Sequence, residues 1–169
     1  LGGTIGHVGS WSFENSKHLT TGDGGIITCD DEELADKIRK LNTQGFRNAT
    51  AKSGKIRVSK DIFQNPDFKR HDRFGFMYRL PEVAAAMGLA QLEKIDWFVE
   101  KRIEMAKMYS DVIQSNKCSW LMPQTVPDGD VNSYYTYALR YVHPDVSWDS
   151  FRKKHIENGG DGIFAAWAL

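Results

Sequence analysis

One lysine, Lys17, stands in company that could turn an ammonium group into a nucleophile. It lies in the stretch Ser10 to Gly25, SWSFENSKHLTTGDGG, five residues after Ser12 and just before the glycine-rich turn Gly22-Asp23-Gly24-Gly25. A lone lysine is usually a solvated surface group. Here Trp11 and Phe13 alternate with Ser10 and Ser12 at strand period, which predicts a half-buried strand leading to the lysine. The apolar run Ile26-Ile27-Thr28-Cys29 follows the turn. Turn glycines let backbone approach closely, and partial desolvation lowers an ammonium pKa and frees the amine. That is the state a Schiff-base lysine needs. Ser12, taken alone, is a strand serine bonded to solvent or backbone.

The elements that must position these groups can be read outward from them. The opening glycines, Gly2-Gly3, Gly6 and Gly9, form a turn before the lysine strand; with no following Gly-Lys-Ser/Thr and no preceding strand they do not make a nucleotide loop. His7 reads as structural. From Asp30 a helix begins, with Asp30 or Asp31 as cap, Glu32 and Glu33 in the first turn, and Leu34, Ile38 and Leu41 on one face up to Gly45. Residues 46–74 are basic, broken by Gly54 and Pro66, and predict a long surface loop with one short strand at Lys55 to Val58.

Pro81 and Glu82 suit a helix start, followed by the small residues Ala84, Ala85, Ala86, Gly88 and Ala90, which allow close approach at a domain or dimer interface. A second amphipathic helix is predicted from Lys94 to Ile113. Trp120 to Pro127 is turn-rich, Tyr134 to Val142 alternates as a strand, and Ser147 caps a helix over Trp148 to Asn158 that Gly159-Gly160 stops.

Composition narrows the function classes. The chain has 169 residues and a formal net charge of zero, so nothing points to nucleic acid or to a membrane surface. Cys29 and Cys118 are far apart and suggest neither a metal site nor a disulfide framework, which makes a reducing cytoplasm the expectation. The sequence opens on LGGTIGHVGS without a methionine and stops on AAWAL, so an internal fragment of a longer protein is expected.

Two blocks carry a family resemblance. SFENSKHLTTGDGG closely resembles the lysine segment of the pyridoxal-phosphate-dependent sugar aminotransferases of the DegT/DnrJ/StrS family, within the aspartate aminotransferase fold. GFMYRLPEVAAAMGLAQLEKI, from Gly75 to Ile95, resembles that family's next signature in the expected order. The resemblance implies an α/β chain of fold type I, with 1–95 as the C-terminal part of the large cofactor domain and 96–169 as a truncated small α/β domain. The groups that grip the cofactor ring would lie upstream of the lysine segment.

The same resemblance makes Lys17 the Schiff-base lysine and proton carrier, and Ser12 a donor to the pyridoxal 5'-phosphate phosphate. It implies glutamate as amino donor, a nucleotide-linked keto sugar as acceptor, a homodimer, and a role in amino-sugar or surface polysaccharide biosynthesis. In the family, residues 46–74 would reach the neighbouring subunit's active site, where their basic groups could meet the nucleotide phosphates. Met77 stands where most relatives carry an asparagine that bonds the phosphate across the dimer, and methionine cannot donate that bond. Tyr78 and Arg79 remain as substrate-binding candidates, with Arg79 open equally to a carboxylate, a phosphate or a local salt bridge. A branch of the family carries histidine at the lysine position and dehydrates the sugar, and Lys17 argues against that branch. Another reaction on the scaffold, a non-catalytic or regulatory protein of this fold, and a plain α/β domain with a structural lysine are the alternatives.

Overall fold

The computed structural model describes residues 2–165, so the last residues of the expected small domain, 166–169, lie outside it. The chain forms two compact units, Leu1–Ile95 and Asp96–Leu169. No helix among the described residues is long and apolar enough to cross a membrane.

The first unit is built on an antiparallel hairpin. Strand β1 (Gly9–Ser12) pairs with β2 (Gly25–Thr28), Gly9 opposite Thr28 and Ser12 opposite Gly25. Helix α1 (Glu32–Asn42) starts as its sequence dictates: the Asp31 carboxylate accepts the Leu34 N–H at 2.7 Å, and Glu32 and Glu33 face the positive end of the helix. Its C-terminal turn is extended by chain from the second signature. Phe76 N–H donates to Leu41 O, Tyr78 N–H to Asn42 O, and Gln44 N–H to Phe76 O, so residues 74–78 run beside the end of α1.

Residues 46–74 differ from the expected plain loop. Lys55 to Val58 form no strand; the short helix α2 (Lys60–Gln64) follows them instead. The far end of this segment is pinned, because Asp72 bonds both Lys40 on α1 and Arg47, each at 2.7 Å. Helix α3 (Glu82–Leu92) completes the unit, with Pro81 at its cap position.

The second unit holds all of α4 (Ile95–Ser115) but its first residue and adds the hairpin β3 (Leu121–Pro123) and β4 (Leu139–Tyr141), then α5 (Trp148–Glu157). The predicted strand from Tyr134 to Val142 shrinks to its last third. Tyr134 has a φ of 47° and its N–H donates to the Asn132 side chain, while Arg102 on α4 donates to the Tyr135 carbonyl at 3.1 Å. These side chains take the backbone groups that a sheet would have used. Trp120, Tyr141 and Phe151 pack edge to face and stacked as the aromatic centre of this unit.

Burial is concentrated in small residues. Leu19, Ala49 and Ala106 are the buried apolar residues among those described, whereas Ile26 and Ile27 of β2 stay 47% and 52% exposed. A two-stranded hairpin is marginal alone, and its apolar faces call for further cover.

Candidate active site

Lys17 sits in the connection from β1 to β2, and the sequence of that connection explains its shape. The neck closes through backbone: Phe13 N–H donates to Gly24 O at 2.8 Å, and Thr21 N–H donates to Phe13 O at 2.9 Å. Thr20 reinforces it, its hydroxyl donating to Phe13 O and accepting the Gly22 N–H. Gly24 has a φ of +146°, and a Cβ there would lie 2.7 Å from the Thr21 hydroxyl oxygen and 2.8 Å from Leu80 Cδ1. Only glycine suits that conformation in that space.

The tip is a tight turn. Lys17 N–H donates to Glu14 O at 3.1 Å, and the Glu14 carboxylate accepts both the N–H and the hydroxyl of Ser16. The Ser16 hydroxyl, then its amide, hold the Glu14 carboxyl below the usual range, and the Lys17 charge adds to the effect. Lys17 itself is half-buried. A fixed anion therefore stands beside the amine.

Ser12 ends β1 at the foot of the same loop and is exposed. Its Oγ accepts the Glu14 N–H at 3.3 Å, which leaves the hydroxyl proton to donate elsewhere. An amine for a carbonyl and a neutral donor for an anion thus occupy one loop. That donor set fits an aldehyde bearing a phosphate.

Tyr78 and Arg79 lie on the segment leading into α3. Tyr78 is 68% exposed and stacks on Phe76 with ring centroids 5.1 Å apart. Arg79 Nε donates to Met77 Sδ at 3.2 Å, so the methionine at the unusual position accepts from the neighbouring guanidinium. Arg79 is exposed with other N–H groups left to engage an anion.

Sequence reading missed Gln91, and for Gly88 it missed the partner on which the helix packs. Gln91 on α3 accepts the Thr20 N–H at 3.1 Å and donates Nε2–H to the Thr20 carbonyl at 2.7 Å. Gly88, one turn earlier on the same face, lets the helix approach: a Cβ there would stand 3.0 Å from Thr21 Cγ2 and 3.9 Å from Leu19 Cδ2. The spacing of Gly88 and Gln91 was the available signal. The small-residue run, expected at a domain or dimer interface, thus packs in part on the lysine loop of its own unit.

Comparison with known proteins shows the family to which these residues belong. A model of the DegT/DnrJ/EryC1/StrS aminotransferase family matches residues 2–158. The chain belongs to that family. It is 32% identical over 157 residues to the dTDP-4-dehydro-2,3,6-trideoxy-D-glucose 4-aminotransferase of Saccharopolyspora spinosa, an alignment covering 93% of this chain and 39% of that protein. The crystal structure of the aminotransferase TlmJ from Streptoalloteichus hindustanus superposes with a TM-score of 0.69 at 31% identity, over 93% of this chain and 37% of that one. The E. coli GDP-4-keto-6-deoxy-D-mannose-3-dehydratase, solved with bound hydrated PLP, gives 0.74 at 25% identity, over 95% and 40%. This family member therefore has the fold of the fold type I sugar aminotransferases and spans about two fifths of its relatives' length.

Proposed function

We propose that this chain contributes the lysine segment and small domain of a pyridoxal-phosphate-dependent sugar aminotransferase. It moves an amino group from glutamate to a keto sugar carried on a nucleotide, for amino-sugar or surface polysaccharide biosynthesis. Leu1–Ile95 is the C-terminal part of the large cofactor domain, Asp96–Leu169 belongs to the small domain, and the working unit is a homodimer.

The cofactor, when bound, supplies a ring that takes up carbanion charge. The roles proposed for this chain's own residues are these. Lys17 would hold the cofactor through its ε-amine, and that amine, when free, would serve as the base that holds or moves a proton at the reacting centre. The Ser12 hydroxyl donates to the phosphate. Arg79, with Tyr78 beside it, meets a carboxylate or phosphate of the substrates.

The observation that carries this reading is the position of Lys17, half-buried at the tip of a loop closed at its neck, in a chain matched to the family from residue 2 to residue 158. Lys17 also supports amino transfer over the dehydration named for one of the solved relatives. The test is borohydride reduction of the full-length protein with pyridoxal phosphate, followed by peptide mapping. A single adduct at Lys17, with turnover of glutamate and a keto sugar nucleotide, is the expected result; adducts scattered over surface lysines would overturn it.

A further inference from the structure

Gln91 deepens this reading. A side-chain amide offers a donor and an acceptor in one plane, and Gln91 spends both on one residue: Thr20 gives its N–H and takes the Nε2–H on its carbonyl. The peptide groups on either side of Thr20 are thereby tied to α3. Thr20 also bonds Phe13 O and Gly22 N–H through its hydroxyl, so its backbone and side chain are anchored together. Lys17 lies three residues away, a distance the chain spans with at most about 10 Å. Gln91 is half-buried, where an unmade bond to a backbone group is costly. Neither a purely apolar side chain nor a carboxylate can replace it, because a carboxylate would accept the N–H yet set a negative oxygen against the Thr20 carbonyl.

We propose that Gln91 is a positioning residue for Lys17: by fixing both backbone groups of Thr20 to α3, it sets the reach and direction of the lysine amine. This role rests on the aminotransferase reading above. It does not require Gln91 to touch cofactor or substrate.

The test uses the full-length protein and three readouts: the rate of borohydride-trapped pyridoxal phosphate at Lys17 across pH, amide hydrogen exchange at Thr20 without cofactor, and thermal unfolding. In Gln91→Met, Thr20 exchange accelerates and trapping at Lys17 slows about 10- to 100-fold, as expected when a reacting group loses its alignment. Gln91→Glu is equally slow at pH 8. As its carboxyl becomes protonated below about pH 4, it regains a donor and an acceptor, and its rate relative to wild type at the same pH recovers. General loosening of the fold would not restore the rate in this pH-dependent way. Wild-type trapping rates in Gln91→Met, or a Gln91→Glu rate that shows no recovery at low pH, would overturn the role. If Gln91→Met does not fold, the pH profile of Gln91→Glu decides alone. Absence of wild-type trapping at Lys17 would instead remove the aminotransferase reading, and the positioning role with it.

Discussion

Gln91 and Thr20, 71 positions apart, are joined by two hydrogen bonds that tie the second signature block to the first. Gly88 makes the pairing possible, since α3 must come close to the lysine loop before the amide can reach. Leucine favours helix over glycine by about 0.8 kcal/mol, so Gly88→Leu should stabilise α3 in isolation. In the folded protein the added side chain meets Thr21 and Leu19, and a net loss of about 1–3 kcal/mol is expected. Thermal or urea unfolding checks this; a more stable variant would show that the contact is not tight.

Lys17→Ala in the full-length protein should abolish covalent capture of pyridoxal phosphate and amino transfer while leaving the unfolding midpoint nearly unchanged. The lysine is at a loop tip whose closing bonds are made by Phe13, Thr20, Thr21 and Gly24. A coloured adduct that survives the substitution, with turnover, would sink the assignment.

Ser12→Ala removes a hydroxyl proposed to donate to a phosphate. Loss of a hydrogen bond to a charged group costs about 1.5–3 kcal/mol, or roughly 10- to 100-fold in affinity. The loss should appear for pyridoxal phosphate and be small for pyridoxal, which lacks the phosphate. Equal losses for both, measured by equilibrium titration, would place the hydroxyl elsewhere.

Asp72 gives a pH dependence whose sign is set by its partners. Hydrogen bonds from Lys40 and then Arg47 hold its carboxyl below the ordinary value near 3.8. Its folded pKa lies below its unfolded one, so its contribution is present above about pH 4 and is lost as pH falls through the folded value. Asp72→Asn should therefore make the segment 46–74 easier to cleave by a protease at neutral pH. The difference from wild type, followed as cleavage rate with an acid-tolerant protease, should close as the pH drops below about 4. A difference that persists in acid would mean the ion pairs are not its source.

Local signals were strong enough to specify much of this protein from its sequence. Asp31 and Ser147 cap their helices through their own side chains, as their positions before Glu32 and Trp148 dictate, because capping involves only neighbours within one turn. The alternation around Trp11 and the glycines after Lys17 indicated a strand and a turn, which the structure completes as a hairpin, and the two signature blocks indicated the family. Non-local bonds decided the rest. Tyr134 to Ala138 read as strand, but Arg102, 33 residues before Tyr135, takes a carbonyl the sheet would have used, beside a local turn bond from Tyr134 N–H to Asn132. The basic segment 46–74 gave no periodicity, and Asp72 fixes its end through Lys40 and Arg47, which lie 32 and 25 residues earlier in the chain. The sequence determined the family and singled out Lys17 as the residue proposed to carry its chemistry. Only the tertiary structure decided how the loop around it is held, because the bonds of Gln91 to Thr20 exist only when a helix 71 residues downstream packs close enough, through Gly88, for an amide to reach the backbone.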